Sequence, residues 1–181
     1  CYRYDENGDT MGMTLSVYID ASHANDPITR RSTSFAVFLL GSKDGTRMNV
    51  VHAKTRMLPG ASGSSSESEY KNGILVVQGM RYMRQLLADL GHPQVEPTDV
   101  FVDNTSATRW MEDGKDHTRK RHIDIMFRGI EQALAMDEAM VRWCKGPDQK
   151  GDFQTKIHAE SEFVRQRNWF FEPLDKEESM G

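Results

Sequence analysis

The chain has 181 residues, enough for one domain with tails, and its 38% hydrophobic and 28% charged residues suit a packed core and argue against disorder along the whole length. The longest strongly apolar run is the six residues Phe35 to Leu40, against roughly 20 for a membrane-spanning helix, so no span is expected. Two cysteines, Cys1 and Cys144, exclude a disulfide framework or a thiolate zinc site and suggest a reducing compartment, while a net charge of −4 excludes coating nucleic acid by bulk charge but leaves room for a local patch. A start at Cys1 instead of Met reads as a piece of a longer polypeptide, with no basic-then-apolar leader in view.

Residues 1–13 read as a polar lead-in broken by Gly8 and Gly12. From Thr14, Leu15, Val17 and Ile19 alternate with Ser16, Tyr18 and Asp20, which is the period of a strand. Asp26-Pro27 marks a turn, and Thr33 to Leu40, β-branched, aromatic and then continuously apolar, suits a strand buried on both faces. Lys43-Asp44-Gly45 signals a hairpin into a third strand over Met48 to Ala53, and Leu58 to Ser66, rich in Pro, Gly and Ser, reads as a loop. Tyr70, Ile74, Val77, Met80, Met83, Leu87 and Leu90 then form one face of a long helix ended by Gly91 and Pro93. A short strand over Val100 to Val102 leads into Asp103, followed by a short helix from Thr105 to Met111. Ile123, Phe127, Ile130 and Leu134 mark a second long helix, Ala139 to Cys144 a last strand, and Asp152 to Arg167 a final helix. The pattern predicts an α/β domain over 14–168, a mixed sheet with its first three strands antiparallel and helices packed on it. The remainder, 169–181, is an acidic tail expected to be disordered.

The informative feature is the placement of four acids. Asp20 and Asp103 each close a mostly apolar strand, Glu69 opens the long helix, and Asp152 opens the last one. Adjacent parallel strands lie about 4.8 Å apart, so Asp20 and Asp103 at neighbouring strand ends could share a cation. Clustered carboxylates repel unless a divalent ion neutralises them, and an all-oxygen set favours Mg²⁺ or Mn²⁺. Two such ions would activate water and stabilise the leaving oxygen of a phosphodiester. Each acid also has a plain structural reading. Asp20 and Asp103 could be turn residues, Asp152 an N-cap beside Gly151, and Glu69 the last member of a capping box with Ser66, although Ser64 with Glu67 fits that box equally.

Four segments carry a resemblance: YIDASHANDPITRRSTSFAVFLLG (18–41), SSSESEYKNGI (64–74), VFVDNTSA (100–107) and HTRKRHIDIMFRGI (117–130). In this order and spacing they resemble the ribonuclease H domain of a copia-type retrotransposon polyprotein. The resemblance implies a ribonuclease H-like fold with a five-stranded mixed sheet and helices on both faces. It implies Asp20, Glu69, Asp103 and Asp152 as catalytic and metal-binding acids, with Asp148 as the runner-up for the fourth. It further implies two Mg²⁺ ions, with Mn²⁺ as a substitute, hydrolysis of the RNA strand of an RNA–DNA hybrid, and a reverse transcriptase domain of the same polyprotein as neighbour. An intracellular location follows, in cytoplasmic virus-like particles and the nucleus. The chain departs from ribonucleases H in having no His between Met140 and Asp152.

Lys115, Arg119, Lys120 and Arg121, with Asp116, form a net +3 segment before the second long helix. Phosphate at that helix N-terminus would offset the unfavourable dipole interaction of the cations, although a solvated turn explains them as well. Arg30 and Arg31 in the first hairpin are a second possible phosphate contact, and Ser65, Asn104 and Ser106 are placed to read 2′-hydroxyls. The alternative to an enzyme is a captured transposon domain, catalytically impaired, that serves as a nucleic-acid-binding or assembly module.

Overall fold

A computed structural model describes residues 13–42, 48–113, 124–156 and 158–170. Its elements in chain order are β1 (Met13–Ser22), β2 (Arg31–Ser42), β3 (Met48–Ala61), α1 (Ser65–Asp89), β4 (Thr98–Val102), α2 (Thr105–Asp113), α3 (Asp124–Ala135), β5 (Ala139–Trp143), α4 (Asp152–Thr155) and α5 (Glu160–Phe170). The strands form one five-stranded sheet in the order β3-β2-β1-β4-β5. β1 pairs antiparallel with β2, and β2 with β3, whereas β1–β4 and β4–β5 are parallel. This is the mixed sheet expected, and its connectivity follows from chain lengths: short turns join antiparallel strands, and helical crossovers return parallel ones.

Alternation decides the layers. Leu15, Val17 and Ile19 of β1, Ala36, Phe38 and Leu40 of β2, and Val100 and Val102 of β4 form one core with Tyr70, Val77, Met80 and Met83 of α1, Ala107 and Met111 of α2, and Ile130 and Ala133 of α3. The opposite parity, Tyr18, Phe35, Val37 and Leu39, forms a second core on the other face, joined by Phe101 and by Phe170 of α5. β2, flanked by β3 and β1, is therefore buried on both sides, as its unbroken apolar run predicts.

Three expectations are corrected. β3 does not stop at Ala53 but runs to Ala61, which pairs with Arg31. As an edge strand it tolerates Pro59, whose missing N–H costs no ladder bond on the open side, and fully buried Leu58 anchors it. The loop expected over Leu58 to Ser66 shrinks accordingly, with α1 beginning at Ser65. Leu90, placed by periodicity on the buried face of α1, is 64% exposed because it is the C-cap, where the helix leaves the core. The single last helix is two: α4 ends where Lys156 turns to extended backbone (φ −120, ψ 150), and α5 starts afresh at Glu160.

No helix among the described residues is long and apolar enough to cross a membrane.

Candidate metal centre

The site starts from strand register. β1 and β4 are parallel neighbours with Val17 opposite Val100 and Tyr18 opposite Phe101. Asp20 and Asp103, two residues further on in each case, emerge side by side, Asp103 directly after the last residue of β4. Asp20 lies two residues inside the end of β1 instead of closing it, because pairing with β2 continues through Ser22 opposite Thr33.

The backbone here is clamped by buried amides. Asn72, fully buried on α1, donates through Nδ2 to the Asp20 carbonyl (2.7 Å) and to the Phe35 carbonyl (3.0 Å), while the Ser34 hydroxyl donates to its Oδ1. Gln149, also fully buried, donates to the Ile19 carbonyl (3.0 Å) and accepts from Gly151 N–H (2.9 Å). These bonds satisfy polar groups that would otherwise be costly to bury, and they hold the start of α4 against β1.

Gly151 permits that approach. A Cβ there would lie 2.8 Å from Asp20 Cβ and 3.1 Å from Asp20 N. Gly151→Val is expected to lose on the order of 2 kcal/mol by overpacking and to push Asp152 away from Asp20. Urea unfolding together with Mn²⁺ titration checks this; wild-type values for both would show the contact to be slack.

One ligand oxygen each from Asp20, Asp103 and Asp152 lies within 4.8 Å of the others. The plain readings of these acids give way one by one. Gly151, not Asp152, is the N-cap of α4, and Asp152 is its first residue, 8% exposed. Asn104, not Asp103, caps α2, accepting from Ser106 N–H and Ala107 N–H (both 3.0 Å). The capping box of α1 uses Ser64, whose Oγ accepts from Glu67 N–H (3.2 Å), and Glu67 reaches back to Gly63 N–H (3.0 Å). Glu69 is therefore not used for capping. It is 5% exposed at the fifth helical position, one residue deeper than the first turn expected for it. Glu69 is not part of the three-aspartate group. It stands close enough to feel Asp103 and Asp20, and the Asn104 side chain hydrogen-bonds to it. Asp148, the alternative fourth acid, is exposed on the turn Gly146–Asp148, outside the group.

The electrostatics are those of crowded, buried acids. Burial, then the charges of Asp103 and Asp20, push the Glu69 carboxyl up to about 8. Burial and Asp20 raise Asp103. Burial also raises Asp152, against a hydrogen bond from Lys156 that pulls it down. The buried Glu69 Oε2 has no hydrogen-bond partner. An all-carboxylate donor set with an orphaned oxygen, in which Glu69, Asp103 and Asp152 hold their protons more tightly than usual, fits a hard divalent cation.

No protein-family model matches the chain. It is 26% identical over 151 residues, 83% of its length, to the retrovirus-related Pol polyprotein from transposon RE1 of Arabidopsis thaliana. It is 23% identical over 149 residues to that from transposon TNT 1-94 of Nicotiana tabacum. The chain spans only 10% and 11% of the lengths of these relatives. Among solved structures, LC11-RNase H1 in complex with an RNA/DNA hybrid superposes with a TM-score of 0.53 at 14% identity, covering 75% of this chain and 88% of that one. The N-terminal ribonuclease H domain of a Mycobacterium tuberculosis protein superposes at 0.52 and 11% identity, covering 86% and 97%. The chain has a ribonuclease H-like fold and is similar in sequence to retrovirus-related Pol polyproteins of transposons.

Within this ribonuclease H-like domain, the remaining residues singled out from sequence fall in three places. Arg30 is exposed in the β1–β2 turn at φ 54, and Arg31 gives its Nε to the Leu58 carbonyl (2.7 Å). Ser65 and Ser106 are exposed at the starts of α1 and α2, which are tied together by a bond from Ser66 Oγ to Asn104 Oδ1 (3.2 Å). Arg119, Lys120 and Arg121 lie outside the described residues. Two contributors escaped the sequence reading. Gln149 acts as a clamp through a partner 130 residues away in the chain, which no local pattern reveals. Lys156 reaches into the acid cluster, 2.6 Å from Asp152 Oδ1 and 3.8 Å from Asp103 Oδ2.

Proposed function

We propose that this domain hydrolyses the RNA strand of RNA–DNA hybrids with divalent ions, two Mg²⁺ or Mn²⁺, held by Asp20, Glu69, Asp103 and Asp152. The observation that carries the reading is the convergence within 4.8 Å of Asp20 and Asp103, from the parallel neighbours β1 and β4, with Asp152 at the start of α4, in a ribonuclease H fold. When bound, the ions would lower the pKa of the attacking water and neutralise charge at the scissile phosphate. The protein's own contribution is to hold the carboxylates in place: Asn72 and Gln149 fix the β1 backbone on both sides of Asp20, and Asn104 orients Glu69. The hybrid-bound solved relatives, LC11-RNase H1 and a foamy viral protease-reverse transcriptase (TM-score 0.52, 12% identity), support the choice of substrate. The Pol relatives support a reverse transcriptase domain as neighbour.

The test is a hybrid labelled on each strand, incubated with the protein in Mg²⁺, in Mn²⁺ and in chelator. Metal-dependent cuts confined to RNA, leaving 5′-phosphate and 3′-hydroxyl ends, are expected. Hybrid bound but uncut with both ions would overturn hydrolysis in favour of a binding module.

A further inference from the structure

Lys156 is an unusual neighbour for a metal site. It terminates α4, and its N–H donates to the Asp152 carbonyl (3.1 Å) while its side chain turns back over the acids. The ammonium contacts two carboxylates from different parts of the fold, Asp152 at 2.6 Å and Asp103 at 3.8 Å, whose side chains are only 11% and 19% exposed. An exposed i,i+4 pair on a helix has little energetic meaning. This contact differs because the second partner sits at the end of β4, 53 positions away in the chain, and both acceptors are mostly buried. The side chain is 49% exposed, so the head can swing into solvent without disturbing the core.

We propose that Lys156 is the built-in counter-cation of the acid cluster, offsetting part of the charge of Asp103 and Asp152 in the metal-free protein and yielding its place when divalent ions load. A metal ligated at about 2.1 Å by the same oxygens competes with the ammonium for one set of lone pairs and repels its charge. The lysine therefore stabilises the empty site and weakens metal binding, two effects of opposite sign on the two states. It acts as a positioning residue for the acids. The inference rests on the metal-site reading above, and the experiment separates the two.

Mn²⁺ binding is titrated by calorimetry, and melting is followed with and without Mn²⁺, in the wild type, Lys156→Met, Lys156→Gln and Lys156→Arg. The neutral variants are expected to bind Mn²⁺ about tenfold more tightly while melting at a lower temperature without metal, and Lys156→Arg is expected to restore both values. A merely structural lysine would lower stability and affinity together. Two neutral substitutions, one apolar and one polar, guard against a fault particular to either. Wild-type or weaker Mn²⁺ affinity in both overturns the counter-cation role while leaving the metal site intact. If the wild type binds no Mn²⁺, the metal site itself fails, and the role of Lys156 fails with it.

Discussion

Asp103→Asn is expected to reduce hybrid cleavage by about 10³-fold or more without lowering the melting temperature of the metal-free protein. The two halves of this result have one cause. The Asp103 carboxyl is raised by burial and by Asp20, so its charge is a burden on the folded state that only a cation relieves. Asparagine keeps the shape and removes the burden. The backbone bonds at this corner, from Trp143 Nε1 to the Asp103 carbonyl and from Cys144 N–H to the Val102 carbonyl, do not involve the carboxylate and survive. The ion pair with Lys156 at 3.8 Å is lost, but Lys156 keeps its shorter contact with Asp152 at 2.6 Å. A variant that melts like the wild type yet fails to cut locates the defect in metal loading and not in folding. Retained cleavage would remove Asp103 from the ligand set.

Glu69 produces the second large effect, on stability as a function of pH. Its carboxyl titrates at about 8 in the folded chain against 4.5 when free. The folded state therefore holds a proton that the unfolded state has released. The stability linked to this group is fully present below about pH 4.5 and is lost as pH rises through about 8. Its size for the full shift is on the order of 5 kcal/mol. Urea unfolding in chelator should show stability falling between pH 5 and pH 8, a slope opposite to that of an ion-paired acid. Glu69→Gln, which cannot ionise, should flatten the slope and be more stable than wild type at pH 8. Divalent ions should reverse it, because they favour the ionised form and displace the proton. An unchanged slope in Glu69→Gln would mean that another group carries the titration.

Much of the framework is written in local pattern. Alternation over Leu15 to Ile19 and the apolar run Phe35 to Leu40 are strand signals because side chains on a strand alternate faces whatever the partner. The periodic face of α1 and the Gly91-Pro93 stop are equally local. The far end of β3 is hidden from local pattern for the same reason. Pro59 and Gly60 break most local patterns, and only the pairing of Arg31 with Ala61 shows that an edge strand accepts them, Gly60 at φ +68. The break between α4 and α5 has no strong signal in sequence, since the residue that turns out of the helix, Lys156, has good helix propensity. It leaves the helix where its ammonium meets acids from β4 and α4.

By itself, the order of residues determined the strand and helix identities, the mixed sheet, and the set of acids worth considering, because periodicity and terminal residues act over a few positions. Tertiary structure alone decided which carboxylates meet. Asp152 joins Asp20 and Asp103 while Asp148 stays outside because Gln149 bonds to the Ile19 carbonyl and Gly151 lacks the side chain that would hold α4 off β1. Those contacts join positions 130 residues apart, and no local rule reports a distance between segments that only folding brings together.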